Sequence, residues 1–189
     1  MTRLESLLLR EEGLRLTPYQ CPGGRWSVGA GRNYQDRPFG LVECTRLGIT
    51  AGRSVDATTK ALQAQPIRLA DALWLLDRDA TQVMFSATRV LPWVTRLNDV
   101  RQAVLGSMAY QMGQGSRASG KGLLGFKAML AALRAEAWDV AAMEALDSRR
   151  ARQTPGRAGR EAQLLLTGDW DPEIDRLAHA EIGRHAEAA

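Results

Sequence analysis

Glu12-Gly13-Leu14-Arg15-Leu16-Thr17-Pro18-Tyr19-Gln20-Cys21-Pro22-Gly23-Gly24-Arg25-Trp26-Ser27-Val28-Gly29-Ala30-Gly31-Arg32 is the stretch on which the reading of this chain turns. A carboxylate, Glu12, closes one periodicity. A thiol, Cys21, follows nine positions later and a hydroxyl, Ser27, six after that. Pro22-Gly23-Gly24 marks a turn. After it Trp26, Val28 and Ala30 alternate with Ser27, Gly29 and Gly31, which is the period of a strand. One face of that strand is apolar. The other carries only a hydroxyl and glycines, so a second segment can approach its backbone closely. The stretch therefore predicts a hairpin or small antiparallel sheet, with Cys21 near its turn and Ser27 on the stripped face.

Upstream, Thr2 and Glu5 have the spacing of a capping box ahead of Leu4, Leu7 and Leu8, which predicts a helix that stops at Gly13. Glu12 falls on the last turn of that helix, four positions after Leu8 and beside the buried stripe. The helix dipole disfavours a charged carboxylate at that end, which suits a proton donor. Downstream, residues 34–66 are irregular, with loops at Asp36-Arg37-Pro38 and Gly48 to Gly52 and a helix over Val55–Ala64. Leu69, Leu73, Leu76, Ala80, Val83, Ala87 and Val90 form an unbroken apolar stripe. They predict a helix over residues 69–91, a rod of roughly 33 Å, ended by Leu91-Pro92. A single long helix in the middle of a small protein commonly joins two lobes. Beyond it every segment reads as helical. One begins at Asp99 with Val100, Val104, Met108 and Met112 as its stripe. Phe126–Arg134, Trp138–Leu146 and Pro155–Thr167 follow after a Gly- and Ser-rich loop, Gly113 to Gly125. Thr154 is expected to cap the last of these, with Pro155 at its first position and Arg157 in its first turn.

Composition narrows the classes. The chain has 189 residues, 45% hydrophobic and 24% charged, which fits one soluble domain of up to two lobes. No apolar run reaches the roughly 20 residues of a membrane helix. The N-terminus has only three consecutive leucines between charges, so no signal peptide or anchor is expected, and the protein is expected to be made and folded in a cytoplasm. Two cysteines, Cys21 and Cys44, are too few for a disulfide scaffold. They are expected to be free thiols, with a Cys21–Cys44 redox link as the lesser alternative. Both histidines, His179 and His185, lie near the C-terminus, which argues against a zinc site and against a Ser-His-Asp triad; no metal or cofactor is expected. Net charge is +4, but residues 169–189 hold six acids against two arginines, a net −4 that leaves +8 on residues 1–168. Such a body is drawn to a polyanion, whether nucleic acid, anionic lipid or wall polymer. The arginines are scattered over helices without a nucleic-acid-binding motif, which disfavours the first.

Glu12, Cys21 and Ser27 have the spacing of the signature of T-even phage lysozymes, with Ser in place of the last residue: a Glu, eight residues, an Asp or Cys, five residues, a Thr. Met108-Ala109-Tyr110-Gln111-Met112-Gly113, Gly125-Phe126, Ser148-Arg149, Gln153-Thr154-Pro155-Gly156-Arg157-Ala158 and Thr167-Gly168-Asp169-Trp170 follow in that family's order. Over roughly residues 2–170 the chain resembles a phage endolysin of that type, glycoside hydrolase family 24. The resemblance implies an α+β, mostly α, lysozyme-like fold. Its N-lobe (1–68) carries a small antiparallel sheet, a connecting helix spans 69–91, and a helical C-lobe spans 92–170. The active site is expected in the cleft between the lobes, and an acidic tail, 171–189, lies outside the resemblance. Ile174, Leu177 and Ile182 give that tail only a weak helical stripe.

The activity implied is muramidase: hydrolysis of the β-1,4 bond between N-acetylmuramic acid and N-acetylglucosamine in peptidoglycan. The resemblance makes Glu12 the general acid, whose pKa partial burial should raise. It makes Cys21 the group that activates water as a thiolate, positions it, or attacks the anomeric carbon itself. Ser27 takes the place of a water-holding Thr, with freer rotation of its hydroxyl. Gly31, Tyr110, Gln111 and Arg157 are the expected substrate-binding residues. Tyr110 either stacks on a sugar or packs its lobe, and Arg157 either reaches across to the acid or is a surface arginine. Arg32 stands where many relatives have His. Met129 and Glu144 stand where relatives place polar substrate contacts, and Met129 departs from them. The loop Gln114–Leu123 is longer than in the T-even type. The implied partners are bacterial peptidoglycan and a separate holin-type protein that releases a monomeric enzyme from the host cytoplasm, without stable membrane insertion. Three functions are thus in view: an active muramidase, a non-hydrolytic peptidoglycan-binding or tail structural protein on the same scaffold, and a lytic transglycosylase using Glu12 alone.

Overall fold

The structure, a computed structural model, describes residues 1–21 and 23–186. Pro22 of the expected turn and residues 187–189 of the acidic tail, Glu187 among them, lie outside the described residues. The architecture is α+β and lysozyme-like, with one small antiparallel sheet and otherwise helices. The chain forms two compact units. The helical unit holds Met1–Leu7 and Ala80–Asp175. The sheet unit holds Leu8–Asp79 and the residues from Arg176 onward. Each boundary between them, after Leu7, after Asp79 and after Asp175, falls inside a helix.

The sheet unit begins inside α1 (Arg3–Glu12). The capping box that starts α1 is present: Thr2 N donates to Glu5 Oε2 (2.8 Å) and Glu5 N to Thr2 Oγ1 (3.2 Å). Gly13 ends the helix in the left-handed region at φ 68°, its N–H returning to the Leu9 carbonyl. The sheet follows in the order β1 (Arg15–Gln20), β2 (Trp26–Gly29) and β3 (Arg32–Asn33). Pairing of β1 with β2 sets Arg15 opposite Gly29, Tyr19 opposite Ser27 and Gln20 opposite Trp26, with an irregularity between Arg15 and Tyr19. Both faces of β2 are buried, so the stripped face is covered: an added Cβ at Gly29 would lie 3.9 Å from Ala72 Cβ.

Residues 34–66 hold two helices, one of them expected. α2 (Leu41–Leu47) is short and starts where Glu43 Oε2 accepts from the Gly40 N–H (2.8 Å). α3 (Val55–Ala64) has the expected bounds and is capped by Ser54, whose Oγ accepts from Ala57 N (3.2 Å). α4 (Leu69–Val90) is the long helix read from its stripe, and Leu91-Pro92 ends it in a short 3₁₀ turn, Pro92–Arg96.

The helical unit continues through α5 (Asp99–Met112), α6 (Lys127–Arg134), α7 (Trp138–Leu146), α8 (Arg149–Gln153) and α9 (Pro155–Thr167). Its core gathers Leu7, Leu91, Val104, Met108, Leu133 and Leu165 among others. Gly106 is needed in α5 because an added Cβ there would meet Leu4 Cδ2 and Met84 Sδ, each at 2.7 Å. Thr154 precedes Pro155 as expected but makes no capping bond. Its hydroxyl donates instead to the Arg150 carbonyl (3.2 Å), which also accepts from the Thr154 N–H (2.9 Å) where α8 ends. The tail forms a full helix, α10 (Pro172–Ala186), with Ile174 and Ala178 buried. Among the described residues no helix is long and apolar enough to cross a membrane.

Candidate active site

Four of the sequence-predicted residues lie in the sheet unit, around Tyr19. Glu12 is the last residue of α1, half-buried. Gly31, with φ 75°, sits against it: an added Cβ would lie 3.0 Å from Glu12 Oε2 and 3.3 Å from Glu12 Cβ. Only glycine takes that backbone conformation at little cost and also leaves room for the carboxylate. Gly31 thus shapes the space around the acid rather than only facing a ligand. Cys21 opens the turn after β1; its N–H bonds the Arg25 carbonyl (2.9 Å) and its carbonyl accepts from Gly24 N (2.8 Å). Its thiol is half-exposed and free, as is the buried thiol of Cys44, which donates to the Phe39 carbonyl at 3.6 Å. Ser27 is buried in the middle of β2, directly across from Tyr19.

Tyr19 joins these groups, and the sequence reading assigned it no role. Burial pushes its phenol up from the ordinary range, and the nearby Glu12 carboxylate and Cys21 thiol push the same way. Arg15, whose guanidinium lies 4.6 Å over the ring, and a hydrogen bond from the Gly31 backbone act in the opposite sense. The phenol therefore stays neutral and remains a hydrogen-bond donor beside the two groups expected to do chemistry. The signal for it was available in the alternation of β1: Tyr19 and Cys21 are two apart on an extended segment, so they share a face.

Arg32, which stands where many relatives have His, is buried as the centre of an ion cluster. Its guanidinium pairs with Glu43 Oε2 (3.1 Å) and with Asp79 Oδ1, and Arg37 reaches the same Asp79 oxygen. It also stands 5.3 Å over the Phe39 ring. Burial pushes the Asp79 carboxyl up, against the pull of Arg32 and Arg37. Arg32 Nε and Asp79 Oδ2 are buried without a hydrogen-bond partner among the described residues.

The remaining predicted residues, Tyr110, Gln111 and Arg157, lie in the helical unit. Arg157 is not a surface arginine: it is 7% exposed, because Glu161 Oε1 (3.2 Å) and the Ser107 hydroxyl (2.9 Å) hold its guanidinium in the helix packing. Glu161, 1% exposed, also pairs with Arg150 and accepts from the Ser107 hydroxyl (2.7 Å). Arg150 in turn donates to Gln111 Oε1 (2.5 Å). Gln111 and Arg157 are therefore tied through one buried carboxylate and held in fixed orientations. Tyr110 is half-buried at the end of α5. Met129 belongs to the hydrophobic core at 1% exposed, which accounts for its apolar character. With Glu144, Gln153 and Arg150 it lines a cavity of about 540 Å³ within this unit.

The chain matches the phage lysozyme family over residues 9–154. It is also 30% identical, over 173 residues, to the pre-baseplate central spike protein Gp5 of Enterobacteria phage T4. That match takes in 89% of this chain and 28% of the spike protein's length. Fold, residue pattern and extent of match agree, and the chain belongs to the phage lysozyme family.

Proposed function

We propose that the protein is a muramidase of the T-even endolysin type that cleaves the β-1,4 bond between N-acetylmuramic acid and N-acetylglucosamine in peptidoglycan. The observation that carries this reading is the grouping of Glu12, Tyr19 and Cys21, with Gly31 against the acid and Ser27 across the ladder. Glycoside hydrolysis needs a proton donor to the leaving oxygen and a second group at the anomeric carbon. Glu12 is the donor. Cys21 is the second group, as thiolate base or as nucleophile, and the anomer of the product separates the two: inversion for the base, retention for the nucleophile. Ser27 holds the attacking water, and the neutral Tyr19 phenol hydrogen-bonds beside it. Tyr110, Gln111 and Arg157 are the saccharide contacts. The Arg150–Glu161 pair supports that role for the last two by fixing where they point.

The test is turbidity loss of outer-membrane-stripped Gram-negative cells, with product analysis of digested peptidoglycan. Glu12→Gln is expected to lower the rate by about 10²- to 10⁴-fold, while Cys21→Asp retains activity. A Glu12→Gln variant that lyses at the wild-type rate sinks the mechanism. The likeness to a central spike protein favours a second reading, in which the same fold serves a tail structure and binds peptidoglycan without cutting it. New reducing ends in the digest exclude that reading, and anhydro-muramic products would point to a transglycosylase instead.

A further inference from the structure

We propose that α10 positions the acid: Glu181 and His185 clamp the backbone of Leu14, two residues after Glu12. The role assigned to Glu12 rests on the muramidase reading; the clamp itself rests on geometry. Leu14 is 3% exposed and lies between the end of α1 and Arg15, where the sheet ladder begins. Buried backbone groups need partners, and this residue has neither a helix nor a ladder to supply them. α10 supplies both. The Leu14 N–H donates to Glu181 Oε1 at 2.8 Å, and the Leu14 carbonyl lies 2.8 Å from His185 Nε2. A carbonyl can only accept, so Nε2 carries the proton in this contact. Arg184 pairs with the second oxygen of Glu181, and His185 Nε2 lies 3.8 Å from the first. Gly13, with a φ of 68°, turns the chain between Glu12 and Leu14.

The helix is organised for this contact. Ile174, Ala178, Glu181 and His185 follow one another at spacings of four, three and four, so they lie along one stripe. The first two are buried, and the last two carry the polar groups that reach Leu14. Residues 172–186 lie beyond the matched family region, which ends at residue 154. The clamp acts two residues along the backbone from Glu12. Glu181 and His185 are positioning residues, since they act on the acid through the Leu14 backbone.

The test uses the full chain and four variants: Glu181→Ala, Glu181→Gln, His185→Ala and His185→Gln. Steady-state rates on soluble peptidoglycan fragments are measured together with hydrogen exchange at the Leu14 amide. Glu181→Ala is expected to lower kcat about tenfold, the scale of a small misplacement of a catalytic group, to leave KM within about twofold, and to speed Leu14 exchange. Glu181→Gln keeps an acceptor oxygen without the charge and is expected to restore both, which identifies the hydrogen bond as the active element. His185→Ala is the milder case, with kcat down about threefold, and His185→Gln restores the donor. Alanine variants with wild-type kcat and wild-type Leu14 exchange overturn the proposal. So does a Glu181→Gln variant as impaired as Glu181→Ala. A wild type that yields no new reducing ends overturns the muramidase reading and with it the positioning of an acid. Leu14 exchange then still decides, separately, whether the clamp exists.

Discussion

Each unit buries a cluster of charges, and the two are built around opposite centres. In the helical unit a carboxylate, Glu161, stands between two arginines, Arg150 and Arg157, and also accepts from the Ser107 hydroxyl. In the sheet unit an arginine, Arg32, stands between two carboxylates, Glu43 and Asp79. The first cluster is closely satisfied, and it hands its order on to Gln111. The second leaves Arg32 Nε and Asp79 Oδ2 without partners among the described residues and shares Asp79 with the partly exposed Arg37. Burial of an ion costs solvation that only good geometry returns, so the better satisfied cluster should be the harder to open. It should also be the one whose loss is felt in the orientation of proposed substrate contacts.

The largest effect is expected where the centre of the better cluster is removed. Glu161→Gln takes away the carboxylate that two buried arginines share and should cost about 3–5 kcal/mol, read from urea melts of the purified protein. Removing the centre of the other cluster should cost less. Arg32→Met leaves Glu43 bonded to the Gly40 N–H and Asp79 in contact with Arg37, and about 2–3 kcal/mol is expected on the same scale. Equal losses for the two would erase the distinction. The smallest effect is expected at the edge of the sheet-unit cluster. Because burial holds the Asp79 carboxyl above its ordinary range, its pKa is higher folded than unfolded. Such a group contributes most to stability below the unfolded value and loses that contribution as the pH rises through the folded one. Asp79→Asn should therefore lie within about 1 kcal/mol of wild type near neutral pH. A series of melts from about pH 4 to pH 7 should show the difference moving in the variant's favour. Movement the other way would mean that Arg32 and Arg37 outweigh burial at this carboxyl.

Much of the fold was legible in the sequence wherever one physical signal acted alone. The apolar stripe of α4, the Thr2–Glu5 box of α1 and the Ser54-led start of α3 each depend on near neighbours in the chain, and each lies where its residues imply. α2 and α8 were not legible because seven and five residues are too few to show a period. α10 was misjudged for a different reason. Half of its inward stripe is polar, since its partner is the Leu14 backbone and not a hydrophobic core, so its periodicity reads as weak. Thr154 has the right type and place for a cap, but the preceding Arg150 carbonyl competes for its hydroxyl. In the site, spacing singled out Glu12, Cys21 and Ser27 but not Tyr19, whose importance comes from the strand register that sets it opposite Ser27. The ion cluster around Arg32 was not legible because its partners, Glu43 and Asp79, are 11 and 47 positions away in the chain.

The bond between Leu14 and Glu181 joins residues 167 positions apart. A ribosome adding 5–20 residues per second takes on the order of ten to thirty seconds to cover that distance. Through that interval the turn after Glu12 has been made and its clamp has not. The segment that bears the proposed acid is thus made well before the residues that fix it in place. A chain interrupted between residues 27 and 181 carries Glu12, Cys21 and Ser27 while the buried backbone of Leu14 is still waiting for its partners.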